Sequence, residues 1–460
     1  MTAGTEGRLA GKSAVVKGRD MEENVSERNI TRKQFLWRAG GAVAVPLAAR
    51  DKLVSMTAKR FAIAAIVLFI LSSRSALASE ADAIAISQNI RARHMPFGTI
   101  MDPIFATPDS EEIVGYTHCG DSAIWTGHYL AAEAFRYNVT RTPDALDNVR
   151  AALGGLEGLL DVTGTNLLSR CLISMTSPYA QAIITEEAGH GVYQNTQFGW
   201  YWIGGTSRDQ YSGAFFGLGV AYDLVDDPQV RARISSLTTL LLNFLLGHDW
   251  LVRMPDGSIS TTFIGRADQQ LSLLQVGRHV NSGRFSTTYD LYRLFSSPLV
   301  IAPISLEVLD NNSYFKFNLD SINLFNLIRL ENSSFNTIYR EAYDILRRHT
   351  DDQKNAFFNM IERALNGPND ARDADTREML EQWLLRPRRD LPIDLRGVYP
   401  ACGSTDMACV PVPIVDRPRT DFLWQRNPFL LVGQGTSMIE TAGIDYILPY
   451  WMGRYYGTIF

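Results

Sequence analysis

Fourteen residues, Phe198-Gly-Trp-Tyr-Trp-Ile-Gly-Gly-Thr-Ser-Arg-Asp-Gln-Tyr211, gather the groups that sugar recognition asks of a protein. Trp200 and Trp202 offer flat apolar faces to the C–H side of a sugar ring, and the glycines free the backbone. Arg208 can grip a carboxylate or a pair of hydroxyls in a forked geometry. Asp209 would be the general acid or base, with Tyr211 beside it. A plainer reading fits the same letters: Ser207 caps a helix, Asp209 favours its positive end, and Arg208 pairs with a neighbouring acid.

A second stretch, Tyr116-Thr-His-Cys-Gly-Asp-Ser-Ala-Ile-Trp125, places His118 and Asp121 just before or at a helix start, with Trp125 one turn later. Asp121 is the second candidate carboxylate; the alternative makes it a helix cap and Trp125 core packing. Between the two stretches, Gly164 to Gln197 has no helical period and carries Arg170, Glu186, Glu187 and His190. Compact domains rarely carry such a loop without a use, and His190, flanked by two glycines, can act as a base at neutral pH or simply bond within the loop. Lys316, Asn318, Asp320 and Asn323 stand at another helix start, and Asp445 and Tyr446 at the last one. The chain holds no Gly-x-Ser-x-Gly, phosphate loop, GxGxxG after a strand, or HExxH, so those chemistries are excluded and no cofactor is implied.

The elements that must position these residues are helical. From Asp121, apolar residues recur at Ile124, Leu130, Ala131, Ala134, Phe135 and Tyr137; Pro143 opens a second helix through Leu146, Val149, Leu153, Leu156, Leu159 and Leu160. The grammar returns with Asp209 to Val225 and then Pro228 to Leu246, an internal repeat of paired helices. Further helical patterns cover Asp268 to His279, Thr287 to Leu309, Tyr314 to Leu330, Phe335 to His349, Asp352 to Leu365, Thr376 to Leu385 and Ile444 to Tyr456. With a poorly patterned stretch near Ala83 to Arg93, about twelve helices are expected.

The chain has 460 residues, 44 Lys plus Arg and 49 Asp plus Glu. Residues 1–78 hold 13 of the bases and 6 of the acids, which leaves 31 against 43 beyond Ala78, a net charge of −12. Such a surface repels phosphate backbones, so nucleic acid is excluded as a partner. Met56 to Ala78 reads as a secretory signal: Lys59 and Arg60, then the apolar run Phe61 to Leu71, then Ala76-Leu77-Ala78. Eleven apolar residues are too few to span a bilayer, so no membrane span is expected in the mature chain. Residues 1–55 read either as upstream sequence or as a twin-arginine-like leader around Arg32-Lys33. Both place the protein in the periplasm or outside the cell.

All four cysteines lie beyond the signal, and an even number in an exported chain favours pairing. Cys402 and Cys409 close a short loop and are expected to form one disulfide, leaving Cys119 with Cys171 as the other pair. No CxxC pair and no His-rich spacing occurs, so no metal site is expected.

Paired helices, a Trp- and Gly-rich first member with polar ends, and a length near 380 residues together resemble the (α/α)6 toroids, the six-hairpin glycosidase superfamily. The closing stretches, Phe422-Leu-Trp-Gln-Arg-Asn-Pro-Phe429 and Gly443 to Gly457, are similar to the ending of exported bacterial proteins with this architecture. The resemblance implies an all-α fold, one toroid domain over 79–460, inner helices pointing their ends into a central funnel, and the long segment over the funnel mouth. It implies a carbohydrate-active enzyme of the glycoside hydrolase kind. Asp209 and Asp121 would be its acid and base, Arg208 its anchor, and Trp200 and Trp202 its platform. A polysaccharide lyase or epimerase, with Tyr211 or His190 assisting, or a non-catalytic envelope scaffold are the alternatives. No catalytic motif of a toroid family matches residue by residue.

Overall fold

The computed structural model describes residues 78–309, 314–418 and 426–460. The export signals, apart from Ala78, and the stretch 422–425 of the closing motif lie outside the described residues. Fourteen α-helices occur among the described residues, with short antiparallel strand pairs between them. The chain is all-α in its main architecture.

Local chemistry sets the helix boundaries. The first helix, α1 (Glu80–Asn89), opens on Ser79, whose Oγ accepts from the Asp82 amide while Asp82 accepts from the Ser79 amide. α2 (Ser122–Thr140) stops at Arg141 in a left-handed conformation, and α3 (Pro143–Asp161) starts on the predicted proline. After the short α4 (Ala180–Glu186) come α5 (Arg208–Leu224) and α6 (Pro228–Gly247), the latter capped by Asp227, which accepts from the amides of Gln229 and Val230. α7 (Ala267–Val280), α8 (Ser282–Ser296) and α9 (Ile301–Glu307) follow. The single helix expected over Thr287 to Leu309 is broken by a 3-10 turn at Ser297–Leu299, because Pro298 cannot continue the ladder. α10 (Phe315–Leu330), α11 (Asn336–Thr350), α12 (Ala356–Asn366), α13 (Asp370–Leu384) and α14 (Ile444–Tyr455) complete the set.

Six helices are buried on nearly every face: α2, α5, α7, α10, α12 and α14. α2 packs against α5, α5 against α7, α7 against α10, α10 against α12, α12 against α14, and α14 against α2. Each also packs on one of α3, α6, α8, α11, α13 and α1, in that order for α2 through α14. The α2–α5 seam is the tightest because it is built on glycine. A Cβ on Gly127 would lie 2.1 Å from the Gly213 carbonyl oxygen, and one on Gly217 would lie 2.2 Å from the Gly127 carbonyl oxygen.

The segment that lacked helical period holds the short helix α4, which its sequence did not reveal, and two strands of a small sheet. Strands β3 (Cys171–Ser174), β4 (Val192–Asn195) and β5 (Trp200–Ile203) pair in the order β3-β5-β4, with Cys171 and Val192 both opposite Ile203. Two hairpins were also invisible to helical patterning: β1 (Asp102–Phe105) with β2 (Ile113–Thr117), and β6 (Leu251–Arg253) with β7 (Ile259–Thr262).

Cys119 and Cys171 form a disulfide, which ties the entry to α2 to the first residue of β3. Cys402 and Cys409 do not: both are free, exposed thiols, contrary to expectation. The strand register nevertheless leaves the two thiols as neighbours. The hairpin pairs Ala401 with Ala408 and Cys402 with Ser404, so Cys409 falls opposite Pro400 and Ala401, giving its amide to one carbonyl and its thiol to the other. A hydrogen bond with Cys402 raises the Cys409 thiol above its ordinary pKa.

Candidate functional site

The starts of α2 and α5 lie side by side, and they bring the two candidate carboxylates together. Gln210 joins them: its side-chain oxygen accepts from the Ile124 amide, and its Nε2 donates to Asp121 at 3.4 Å. Burial, followed by repulsion from Asp209, raises the Asp121 pKa; Arg170, His118 and Arg426 pull the other way. About a third of the Asp121 side chain remains exposed, so a proton can reach it. Asp209 sits in the first turn of α5, where it accepts from the Ser207 hydroxyl and from the Gln210 amide at 3.1 Å.

Arg170 clamps these two helix starts. Its guanidinium donates to the carbonyls of Gly205 (2.8 Å) and Gly120 (2.7 Å) and to the Ser207 hydroxyl (2.7 Å). With its donors committed and its side chain buried, Arg170 positions the site rather than meeting a ligand. Arg208 differs. It donates to the Thr262 carbonyl at 3.2 Å, its Nε is buried without a hydrogen-bond partner, and burial, then the nearby Arg266, lowers its pKa. A half-desolvated guanidinium beside a second cation is a place where an anion would be welcome.

Arg266 itself is saturated with acids: Asp268 at 2.7 Å, Asp320 at 3.1 Å, and Glu307. Asp320 is fully buried, and burial, then repulsion from Glu307 and Asp268, drives its pKa well above the carboxylate range. This network, reaching from the start of α7 to α10, was missed in the sequence because its four members come from three separate segments.

His118 precedes α2 in a left-handed conformation, φ 59° and ψ 28°, uncommon for a residue with a Cβ. Its Nδ1 lies 2.8 Å from Asp102, which is buried; ionised Asp102 only accepts, so Nδ1 carries the proton and Nε2 is the basic nitrogen of the neutral ring. Burial would raise the Asp102 pKa, but the hydrogen bond with His118 and the nearby His94 outweigh it and hold Asp102 ionised. Behind Asp102 stands the fully buried His94, between Asp102 (3.6 Å) and Glu440 (3.5 Å). Burial would lower the His94 pKa, yet its two acid neighbours raise it. The sequence shows no local motif linking His94, Asp102 and Glu440 to His118. The β1–β2 pairing, which sets Asp102 opposite Thr117, makes the connection.

The long segment supplies the neighbouring wall. Glu186 accepts from the Thr117 hydroxyl at 2.5 Å, and Glu187 from the Gly120 amide at 2.7 Å. Glu187 also holds His190 by Nδ1 at 2.7 Å, leaving that ring nearly half exposed.

The aromatic candidates are elsewhere. Tyr211 is fully buried with its ring edge-on to Phe263, and its hydroxyl accepts from the Leu168 amide; burial pushes its pKa far up. Trp125 is buried against His128, whose own pKa burial lowers to about 4. Trp202 is buried and stacked on Tyr193, with ring centroids 4.3 Å apart. These three pack the core, because α2, α5 and β5 turn them inward, and in this conformation they offer no platform. Trp200 is partly exposed but sits at the far end of β5, roughly 10 Å of strand from Ile203. There it lines a cleft of its own, not the carboxylate pair. Among the described residues no group of His, Cys, Asp or Glu has the arrangement of a metal site, and no helix is long and apolar enough to cross a membrane. No family model, curated protein or solved structure matches this chain.

Proposed function

We propose that this chain is an (α/α)6 toroid, exported through Met56 to Ala78, that acts on an acidic poly- or oligosaccharide. The order in which α2, α5, α7, α10, α12 and α14 meet, with a second helix behind each, supports the architecture. One observation carries the activity. Asp121 and Asp209 are two carboxylates close enough for one to raise the other's pKa, and next to Asp209 stands Arg208, a cation with an unmet donor. A carboxyl whose pKa is raised by burial and by its neighbour is the better suited of the two to give a proton to a leaving oxygen, and the other would activate water or attack the sugar. Arg208 would anchor a uronate carboxylate. The funnel mouth would be completed by His118, Glu187 and His190.

A second reading, elimination or epimerisation, is favoured by His118, because a neutral imidazole oriented by buried Asp102 is suited to taking a proton from carbon. Incubation of uronate-containing and neutral oligosaccharides with the purified protein in heavy-oxygen water separates the two. Label in a shortened sugar marks hydrolysis; shortening with an unsaturated end and no label marks elimination, and deuterium exchange at the sugar carbon marks epimerisation. Asp121→Asn and Asp209→Asn should each reduce hydrolysis by about 10²-fold or more. Hydrolysis that survives both substitutions overturns the assignment, and unchanged sugars in every pool favour a non-catalytic scaffold.

A further inference from the structure

A deep cavity lies away from the Asp121–Asp209 pair. About 700 Å³ of open space separates α3 from the sheet edge, walled by Phe97, Phe198 and Trp200, floored by Gly154 and Gly158, and rimmed by Asp161. Phe97 meets Trp200 edge-on with ring centroids 6.3 Å apart, and Phe198 leaves 61% of its surface exposed. The glycines give the cleft its depth. A Cβ on Gly154 would meet only the tip of Arg233, at 3.6 Å, and one on Gly158 only a methyl of Leu172, at 3.2 Å. Each glycine costs a helix about 1 kcal/mol relative to alanine, so α3 gives up stability to leave bare backbone here.

The lining restricts what can bind. Asp161 is its one ionisable group, and Glu157, a turn earlier, is already held by Arg233 at 2.6 Å. An anion would meet an acidic rim. A sugar would bury several hydroxyls against a wall whose side chains offer polar atoms only at Asp161, Asn166 and the Trp200 indole, and each unmet group costs about 1–3 kcal/mol. A cavity of this volume with aromatic walls and few polar groups has the form of a small-molecule site. We infer that the cleft between α3 and β3–β5 binds a neutral or singly cationic, ring-bearing apolar molecule, its rings set among Phe97, Phe198 and Trp200 and its cationic end at Asp161. This site is independent of the carboxylate pair and stands whether or not the sugar chemistry does.

Fluorescence titration tests it with two probes, neutral N-phenyl-1-naphthylamine and singly cationic acridine orange. Both should bind saturably at one site in the micromolar range. Gly154→Leu, which puts a side chain into the cleft, should weaken both at least 10-fold; Phe198→Ala, at an exposed position that leaves α3 untouched, should weaken both several-fold. Asp161→Asn should weaken acridine orange alone, by about 5-fold, a single screened charge pair. The inference is overturned by absence of saturable binding, or by wild-type affinity in a Gly154→Leu protein that melts as the wild type does. Displacement of the naphthylamine by millimolar maltohexaose would equally overturn it.

Discussion

Replacing Gly127 with alanine should drive the two central helices apart. The added methyl would sit 2.1 Å from the Gly213 carbonyl oxygen, where ordinary contact begins at 3.4 Å, so α2 and α5 must separate by more than 1 Å. Neither side can yield by a rotamer change, because the obstacle is backbone. Overpacking costs about 1–3 kcal/mol, and a backbone clash belongs at the upper end. Alanine returns about 1 kcal/mol of helix propensity, leaving a net loss of roughly 2 kcal/mol. For a chain of this size that is a fall of about 2–3 °C in Tm, readable by calorimetry or denaturant titration beside the wild type. Gly154→Ala is the matched control: the same exchange on α3, with only the Arg233 tip at 3.6 Å, should be neutral or stabilise by up to about 1 kcal/mol. The same separation would stretch the hydrogen bond from Gln210 to Asp121, so turnover should fall more than stability does. If Gly127→Ala melts at or above the wild-type temperature, the glycine seam does not hold these helices at this distance and the reasoning fails.

Removing the Cys119–Cys171 bridge frees a loop of 52 residues, worth about 4 kcal/mol of chain entropy, and the Cys119→Ala, Cys171→Ala double variant should lose that much in denaturant titration. Arg170→Lys gives up the fork that joins Gly205, Gly120 and Ser207; with buried carbonyls orphaned, the loss should be about 2–3 kcal/mol by the same assay. Acid and base should both weaken the His94 cluster. For Glu440, burial alone would raise the pKa, but the neighbouring His94 and the charge of Arg388 hold it down to about 2, so its contribution is present above its ordinary pKa of 4.5 and lost as pH falls toward 2. His94 is raised, so its contribution is complete below its ordinary 6.5 and lost as pH climbs through the higher folded value. Stability should therefore peak between about pH 5 and 6.5, and Glu440→Gln should flatten the acid limb in a pH series of melting curves.

Much of the helical framework was legible because its signals are local. Pro143 and Pro228 open helices in the structure where the sequence placed them, and the apolar spacing from Ile124 to Phe135 faces the core. The carboxylates were found for the same reason, as acids at helix starts. What failed was the inference from residue type to exposure. Tyr211, Trp125 and Trp202 looked like a binding surface, yet helices buried on all sides turn the first two inward whatever their chemistry, and β5 packs the third against Tyr193. Asp102, His94 and Glu440 are joined by strand pairing and by contacts across hundreds of residues, which no window of sequence displays. The hairpin of Cys402 and Cys409 shows the limit from the other side, since spacing suited a disulfide and the two cysteines stand as neighbouring free thiols.

The contact between α14 and α2 has a consequence in time. Phe135, on α2, packs edge-on against Tyr455, the last residue of α14. The roughly 300 residues between them take about 15–60 s to synthesise at 5–20 residues per second. For that interval the α2 face that meets α14 has no cover from its own chain. A nascent or translocating chain of this protein thus presents a greasy helix to whatever is nearby until its final turn emerges, and loss of that last helix would leave the first long one permanently uncovered.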